Sequence, residues 1–315
     1  MNAWYFVCPS RKLPPGETMS WTLNGEDFVL YRGAEDKEAR AFAAHCAHMG
    51  THLANGDVIG NDLRCPLHHR MFDGLGRCTA IPGSAPTPLT KPQQPFPIAE
   101  KFGSLFLFHG KIPTHPLPSF ESDPPLLFTH GRSLMVDCSL QAIASNGFDM
   151  EHFTLVHKRQ FIQAPILSRP APHRLEMSYV SSIHGDSPGE LFLKKISGNR
   201  IQVRVTCHGG TLMAVESDLG FFQGRMILAL KEDSENRTSV TPILLTRKTR
   251  SRLWDTCRLW ISKILFSSFM KKDLSFMQGM RFHPPSDFPK DPVLSAFLDY
   301  FQELRRNGGE NNARS

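Results

Sequence analysis

The stretch CAHMGTHLANGDVIGNDLRCPLHH, residues 46–69, decides how the first part of the chain is interpreted. It contains Cys46-x-His48, sixteen further residues, and then Cys65-x-x-His68. Thiolate and imidazole groups at such short spacing are typical metal ligands. Zinc is one candidate for the metal, and a two-iron, two-sulfide cluster in which two histidines replace two cysteines is the other.

The order of the four ligands favours the cluster. Zinc fingers group Cys with Cys and His with His, whereas each short loop here supplies one of each. Each loop can therefore give its cysteine to one metal and its histidine to the other, so that two loops hold a binuclear centre.

The start, MNAWYFVCPSRK, has no basic region before its short apolar run, which predicts no export. An odd number of cysteines, seven, then favours metal ligation over disulfides.

The motif C-x-H-x16-C-x-x-H and the stretch FDGLGRC after it resemble the cluster-binding loops of Rieske domains. The resemblance implies that Cys46 and Cys65 bind one iron of a [2Fe-2S] cluster. It also implies that His48 and His68 bind the other iron, near the solvent-facing tip. Because imidazole is a neutral ligand, such a cluster has a higher reduction potential than one held by four thiolates.

The second loop distinguishes branches of this family. The disulfide that joins the two loops in respiratory Rieske proteins would fall at Thr51 and Leu67, so this chain lacks it. The chain therefore resembles the oxygenase or ferredoxin branch. His69 stands where oxygenase relatives often have glycine, and we expect it to be solvated and not a ligand.

A second motif lies in NGFDMEHFTLVH, residues 146–157, with Asn146, Asp149, His152 and His157. On an ideal helix His152 and His157 point about 140° apart. If both bind one ion, the helix must end or bulge between them. Two histidines and one carboxylate with open positions form the facial triad of non-haem Fe(II) oxygenases.

The pattern N-x-x-D-x-x-H-x4-H, downstream of a Rieske motif, resembles the catalytic site of Rieske non-haem iron oxygenases. The resemblance implies that His152 and His157 bind a mononuclear Fe(II). It implies that Asp149 bridges this site to the Rieske histidine of a neighbouring subunit. Asn146 either approaches the iron weakly or caps the start of a helix.

The third iron ligand must come from farther along the chain. Relatives place their carboxylate ligand where MKKDLSFMQGMR supplies Asp273, just after an amphipathic helix. We expect Asp273 to be this ligand, with Asp255 as the second candidate. The alternative is that Asp273 only caps a helix, a position that aspartate favours.

The expected fold class is α+β. Residues 1–115 are predicted to form a mostly-β Rieske [2Fe-2S] domain, residues 116–305 a catalytic domain, and residues 306–315 a disordered tail. The catalytic domain is expected to contain a twisted antiparallel sheet with flanking helices. Its predicted strands include RLEMSYVSSIHG, GELFLKKIS, RIQVRVTCHGG and GRMILALKEDSENRTSVTPILLTRK, with tight turns at SGNR and DSEN.

The resemblance also implies a function. A terminal oxygenase of this family takes electrons through its Rieske cluster, activates O₂ at the mononuclear iron, and oxidises a small molecule. We expect hydroxylation or demethylation of an apolar aromatic or alicyclic substrate, with monooxygenation favoured over dioxygenation. Phe148, Phe153, Leu155 and the helix from Trp254 to Phe269 are predicted to form either an apolar cavity near the iron or ordinary core.

Partners follow from what the chain lacks. No G-x-G-x-x-G motif is present, so a separate NAD(P)H-dependent reductase, with or without a ferredoxin, must supply the electrons. The resemblance implies a head-to-tail homotrimer. The net charge is +6, and the basic stretch 247–272 suits an acidic redox protein better than nucleic acid.

The most apolar late stretch, LWISKILFSSFM, is shorter than the roughly 20 residues of a membrane-spanning helix. The sequence therefore predicts a soluble, cytoplasmic protein, and peripheral contact of this helix with a membrane is the less favoured alternative. Two rival functions stay open at this point. One is an electron carrier with a Rieske cluster and no oxygenase activity, and the other is a zinc protein that binds nucleic acid.

Overall fold

The computed structural model describes residues 1–84, 90–120, 126–186, 188–220, 223–283 and 291–313. The chain divides into two compact units, Asn2–Thr114 and His115–Ser315, with Met1 belonging to the second. The proline-rich stretch 112–125, in which the sequence places the domain boundary, is described only up to residue 120.

The first unit is built from short antiparallel strands in three small sheets. Their orders are β1-β11-β10, β2-β3-β4-β9 and β5-β6-β7-β8. Two 3-10 turns, Ser10–Lys12 and Leu53–Asn55, lie between strands. The strands are β1 (Trp4–Pro9), β2 (Thr18–Leu23), β3 (Glu26–Arg32), β4 (Ala39–Ala43), β5 (Asp57–Ile59), β6 (Asp62–Arg64), β7 (Met71–Phe72), β8 (Cys78–Ala80), β9 (Pro95–Phe96), β10 (Ile98–Lys101) and β11 (Ser104–Phe108).

Local sequence explains the first hairpin and the core beneath the metal-type loops. Asn24 and Gly25 connect β2 to β3 with φ of 51° and 79°, the left-handed conformation that two-residue hairpin turns require. Phe42 and Phe72 are fully buried in a cluster that also contains Cys46 and Cys65. The four-residue motif is therefore anchored on the core of this unit through its two cysteines.

In the residues that the structure describes, the second unit contains a nine-stranded antiparallel sheet and five helices. The sheet order is β12-β20-β19-β18-β17-β16-β14, with β13 paired to β20 and β15 paired to β16. The strands are β12 (Leu126–His130), β13 (Leu134–Val136), β14 (Arg159–Phe161), β15 (Ile166–Ala171), β16 (Arg174–Ile183), β17 (Ile201–His208), β18 (Leu212–Asp218), β19 (Gln223–Ser234) and β20 (Arg237–Arg247). The helices are α1 (Leu140–Ser145), α2 (Met150–Leu155), α3 (Pro188–Ser197), α4 (Arg252–Met277) and α5 (Pro292–Ala313), and a 3-10 turn covers Asn146–Phe148.

The predicted antiparallel sheet and the predicted turn at DSEN are confirmed. Strands β19 and β20 form a hairpin in which Ser234 pairs with Arg237. Along β16 buried residues alternate with half-buried ones, as expected for a strand with one face on the core. Helix α5 packs on this core, where Phe297 stacks on Phe148 at a centroid distance of 4.7 Å.

The segment GELFLKKIS, which the sequence predicts as a strand, is instead helix α3. Its signals are those of helix ends: Pro188 begins the helix, Glu190 lies in its first turn, and lysines occupy its last turn. Gly198, directly after it, has φ of +59°, the left-handed conformation that commonly terminates helices. The apolar run LFL favoured a strand, but these end signals favour the helix.

Helix α5 extends into the segment 306–315, for which the sequence predicts a disordered tail. Helix α5 continues to Ala313, while residues 314–315 lie outside the described part of the chain. Asp291 caps the start of this helix by accepting hydrogen bonds from the amides of Val293 and Leu294, at 3.0 and 2.9 Å. With Phe297 and Phe301 fully buried, the first half of α5 is held by the core, and its later turns extend from that base.

Only part of the helix from Trp254 to Phe269, which lies within α4, faces the cavity or core as predicted, because Trp254 and Trp260 are exposed. Asp255 and Arg258 are buried near its start. The Asp255 carboxylate accepts hydrogen bonds from the backbone amide and hydroxyl of Thr249, at 2.9 and 2.7 Å. The Arg258 guanidinium donates to the carbonyl oxygen of Arg247 at 3.1 Å. These polar contacts hold the side of the helix that carries Asp255 and Arg258 inward.

Among the described residues, no helix is both long enough and apolar enough to cross a bilayer.

Candidate metal centres and an adjoining cavity

Two loops of matching geometry carry the first candidate centre, one between β4 and β5 and the other between β6 and β7. In the first, the Cys46 amide donates to the carbonyl oxygen five residues on, and its own carbonyl accepts from the Gly50 amide, both at 2.8 Å. In the second loop, the Cys65 amide donates to the carbonyl oxygen five residues on at 2.9 Å. The Cys65 carbonyl oxygen accepts from the amide of His69 at 3.0 Å. The two cysteines therefore occupy equivalent places in two similar turns.

The fifth position of each loop has a left-handed backbone. Gly50 has φ of 78°, and His69 has φ of 51°. Glycine adopts this conformation freely, whereas a histidine is found there much less often. This explains why relatives often have glycine at the position of His69. His69 therefore differs from the residue that relatives often have, but its side chain is exposed and the loop keeps the same backbone turn.

The four side chains divide by burial as a [2Fe-2S] cluster requires. Cys46 and Cys65 are 4% and 2% exposed. His48 and His68 are exposed, with ring centroids 4.9 Å apart. Burial raises the pKa of the Cys46 thiol, and the adjacent Cys65 raises it further. Two neighbouring buried thiols become thiolates together only beside a cation, so this donor set fits the Rieske cluster.

Gln93 holds the first loop in place, and no motif pointed to it. Its side chain is 2% exposed. Its amide nitrogen donates to the carbonyl oxygens of Ala43 and His45, at 2.6 and 3.0 Å. Its amide oxygen accepts from the backbone amide of Ala47 at 2.9 Å. All three bonds go to backbone next to Cys46, so this glutamine positions the loop.

We expect Gln93→Ala to lower the free energy of unfolding by about 1–3 kcal/mol, because it leaves buried backbone groups without partners. Chemical denaturation of the protein measures this change. The neighbouring Gln94→Ala is the matched control, because the Gln94 side chain is exposed and donates to the carbonyl oxygen of Pro95 at 3.1 Å. Equal stabilities of the two variants would contradict the positioning role.

The second candidate centre consists of His152, His157 and Asp273. The two histidine Nε2 atoms lie 3.0 Å apart. Oδ1 of Asp273 lies 2.7 Å from Nε2 of His157 and 3.1 Å from Nε2 of His152. The structure thus brings together three side chains, two of them separated from the third by more than a hundred residues of chain.

The end of helix α2 makes this convergence possible. The helix ends at Leu155, and the amides of Val156 and His157 both approach the carbonyl oxygen of His152, at 2.9 and 3.4 Å. The second of these bonds spans five residues and widens the last turn. The prediction that the helix must end or bulge between the two histidines is therefore confirmed.

Helix α4 supplies the carboxylate. Asp273 lies within its last turns, not after the helix as the sequence predicted. Asp255 lies eighteen residues earlier in the same helix, about 27 Å along its axis, and is bonded to Thr249. The structure therefore groups Asp273, and not Asp255, with the histidines.

The electrostatics of the group suit a cation. Burial lowers the pKa of His157, and this outweighs the opposite effect of Asp273. Burial also acts to raise the pKa of Asp273, but hydrogen bonds from His152 and His157 outweigh it, and the pKa is lowered. Neutral imidazole and ionised carboxylate are the forms that bind metal. The His157 ring is further fixed by Phe269, which stacks on it at 3.7 Å.

Asp149 and Asn146 lie beside this group. Asp149 caps α2, its carboxylate accepting from the backbone amide of His152 at 2.9 Å, and is half-buried. The side-chain amide nitrogen of Asn146 lies 3.2 Å from Nε2 of His152. Asp291, which sequence reasoning missed, accepts from the amide of Met150 at 3.1 Å and so ties the start of α2 to that of α5.

An apolar cavity of about 180 Å³ adjoins the three-residue group. Asn146 and Asp273 line it at one side, and Phe153 and Phe269 contribute to its apolar wall. Of the residues predicted to surround such a cavity, Phe148 is buried in the core instead. Leu155 is 65% exposed because it lies on the outer face of α2, so that prediction is wrong.

Comparisons with known proteins agree with this geometry. The Rieske [2Fe-2S] domain family matches residues 3–98. The cholesterol 7-desaturase nvd 1 of Ciona intestinalis is 35% identical over 328 residues, which cover 96% of this chain and 68% of that protein. The cholesterol 7-desaturase nvd of Bombyx mori is 32% identical over 166 residues, 51% of this chain and 36% of that protein. The chain thus spans from about a third to two thirds of these relatives.

Solved structures share the whole fold. Dicamba monooxygenase bound to dicamba superimposes with a TM-score of 0.72 at 18% identity, covering 98% of both chains. NdmA of Pseudomonas putida CBB5 with caffeine gives a TM-score of 0.70 at 18% identity, covering 96% of this chain and 90% of that one. The Rieske domain match and the 35% identity to the Ciona protein over 96% of this chain show that the chain belongs to the Rieske non-haem iron oxygenase family.

Proposed function

We propose that this chain is the terminal oxygenase of a multi-protein monooxygenase system. In this proposal, electrons from NAD(P)H reach it through a separate reductase and its own Rieske cluster, and it oxidises an apolar alicyclic molecule with O₂. The observation that carries the proposal is the convergence of His152, His157 and Asp273 at the edge of an apolar cavity.

The residues of the second centre have distinct parts in this chemistry. His152, His157 and Asp273 would hold a ferrous ion, which supplies the reaction with O₂ when bound. Three protein ligands would leave further coordination positions of the ion open. The Asp273 carboxylate offsets the charge of the ion, and the stacked ring of Phe269 keeps the His157 imidazole in its orientation.

The cavity argues for an apolar substrate. Its wall is mainly aliphatic and aromatic, with Phe153, Phe269 and Met213 among the lining residues. Apolar cavities of about 150 Å³ bind benzene, so this one accepts about one ring of a larger molecule. The two relatives compared by sequence above are named as cholesterol 7-desaturases. A third, the probable 3-ketosteroid-9-alpha-monooxygenase of Rhodococcus rhodochrous, is 32% identical over half of this chain and is named for a ketosteroid. We therefore propose a sterol or a related polycyclic substrate.

The test is substrate-dependent oxygen consumption. The purified protein, supplied with a generic reductase and NADH, is assayed against sterols, ketosteroids and simple aromatic acids. We expect oxygen uptake with a polycyclic compound, together with a product that has gained an oxygen atom or lost two hydrogens. Reduction of the cluster without oxygen uptake on any compound would favour the electron-carrier alternative.

Electron delivery to the second centre is proposed to pass through Asp149. In a head-to-tail homotrimer, this carboxylate would meet the Rieske histidine of the neighbouring subunit. Its position at the start of α2, one bond from the backbone of His152, supports the role, since the same side chain contacts the helix that carries the first iron ligand.

Two variants of Asp149 separate this role from helix capping. Asn is as good a cap as Asp, whereas Ala costs roughly 1 kcal/mol of stability. We expect both Asp149→Asn and Asp149→Ala to keep their metal content but to slow turnover about 10- to 100-fold. Single-turnover oxidation of the reduced cluster, with substrate and O₂ present, measures the transfer. Normal turnover of the Asn variant would refute the bridging role.

A further inference from the structure

The first half of α4 carries a stripe of large apolar side chains on its outer face. Leu253 is 83% exposed, Trp254 49%, Trp260 64% and Ile264 47%. Three of them, at positions 253, 260 and 264, recur at helical spacing and follow one side of the helix for about 16 Å. Single exposed apolar residues are ordinary on protein surfaces, but three in line with a second exposed tryptophan, Trp254, beside them indicate a contact surface.

The charges on the same helix are of one sign. Its two acidic residues, Asp255 and Asp273, are 3% and 5% exposed and are engaged inside the unit. The exposed charged side chains of α4 are Arg252, Lys263, Lys271 and Lys272. Within the described part of this helix, solvent therefore meets apolar and positive groups and no negative ones.

We propose that this face of α4, the outer stripe with its lysines, lies on the surface of an anionic lipid bilayer. Helices that lie in the membrane interface have tryptophan and leucine on one side and lysine or arginine beside them. Tryptophan suits this zone because its ring is apolar and its N–H reaches water. Each basic side chain adds attraction to acidic headgroups.

Two other occupants fit the surface less well. A second copy of the chain that presented this same face would bring like charges together, and the head-to-tail contact of the proposed homotrimer is placed at Asp149 instead. An acidic redox protein matches the positive charge, but redox encounters use small contacts, which leave the tryptophans unexplained. Light scattering in the experiment below distinguishes the second copy from the bilayer.

Membrane contact of α4 would bring the bilayer close to the cavity, because other residues of this helix line it. Leu265, Phe266 and Phe269 line the apolar cavity, on the same helix as the outward stripe. A substrate dissolved in the bilayer would therefore lie next to the helix that forms the cavity wall. This consequence rests on the proposed function, whereas the membrane contact itself rests only on the exposure and charge of α4.

Sedimentation with vesicles tests the proposal. We expect the holoprotein to pellet with vesicles of phosphatidylcholine and phosphatidylserine, and to stay in the supernatant with phosphatidylcholine alone. The double variant Trp254→Ser/Trp260→Ser should lower the partition coefficient about tenfold or more. Lys271→Gln/Lys272→Gln should lower it about 25-fold, at about fivefold for each charge, and added salt should lower it for the unsubstituted protein.

Exposed apolar residues of the first unit provide the matched control. Leu75 and Ile112 are 68% and 77% exposed, and Leu75→Ser/Ile112→Ser should leave vesicle binding unchanged. Brominated lipids should quench the tryptophan fluorescence of the unsubstituted protein, and this quenching should be lost in Trp254→Ser/Trp260→Ser. Turnover of a detergent-dispersed substrate should be equal in that variant, since neither tryptophan lines the cavity.

Three results would overturn the proposal. The first is an unsubstituted protein that stays in the supernatant with anionic vesicles. The second is vesicle binding that survives the tryptophan substitutions. The third is a loss of oligomer mass in light scattering on those substitutions without any vesicle binding, which would assign the face to a second copy. Vesicle binding without any substrate turnover would instead count against the proposed function alone.

Discussion

Asp273→Asn is expected to remove the mononuclear iron and to stop substrate oxidation while leaving the Rieske cluster in place. The amide keeps the size of the carboxylate but supplies no negative charge to the ion. His152 and His157 then stay as two neutral donors, which bind ferrous iron weakly. We expect iron to fall from about three to about two atoms per chain, with acid-labile sulfide unchanged.

Asp255→Asn is the matched control, because Asp255 is a buried aspartate of the same helix. Its carboxylate bonds to Thr249 and lies far along the helix from the histidines, so the variant loses stability but no iron. Iron analysis and substrate-dependent oxygen uptake are measured on both variants. Equal iron loss in the two, or full turnover of Asp273→Asn, would contradict the assignment of the third ligand.

Cys46→Ser is expected to have the second large effect, loss of the whole Rieske cluster. A serine hydroxyl ionises far less readily than a thiol and binds iron poorly, and one thiolate, from Cys65, cannot hold its iron alone. Iron should fall from about three atoms to about one per chain, the visible absorbance should disappear, and substrate oxidation should stop because no electron reaches the second centre.

Cys78→Ser is the control for this variant. Cys78 is a half-buried cysteine of the same unit, and it packs against the same core cluster without lying in either loop. Its thiol makes only a 3.6 Å contact with the carbonyl oxygen of Ala80. We expect the variant to keep its colour, its sulfide and its activity. A colourless Cys78→Ser would show that the cluster is lost through general destabilisation.

Local patterns predicted the parts of the two centres that depend on neighbouring residues. The pairs Cys46–His48 and Cys65–His68 are close in sequence, and each lies in one turn with its own backbone bonds. The break in α2 was also predictable, because two histidines five residues apart cannot share one face of a regular helix.

Residues that act across the fold were harder to find. Asp255 and Asp273 are both aspartates of one helix, and only the packing of α4 shows which of them meets the histidines. Gln93 and Asp291 each hold a loop or helix start through bonds to distant backbone. A single polar residue without a repeating pattern carries no signal in one sequence.

The errors on helices have a common cause. The run of three apolar residues in α3 favours a strand, whereas the proline, glutamate and glycine at its ends favour the helix that forms. The helix from Trp254 to Phe269 is predicted to line a cavity or to pack in the core, since the apolar side of a helix usually faces inward. Phe269 does line the cavity, but buried contacts of Asp255 and Arg258 with residues outside the helix leave Trp254 and Trp260 exposed.

The central claim is that one chain holds two different iron centres, and elemental analysis of anaerobically purified protein tests it most directly. The account predicts about three iron atoms and two acid-labile sulfides per chain after supplementation with ferrous iron. Zinc in place of iron, an absence of labile sulfide, or an iron content that stays at about two per chain would contradict it.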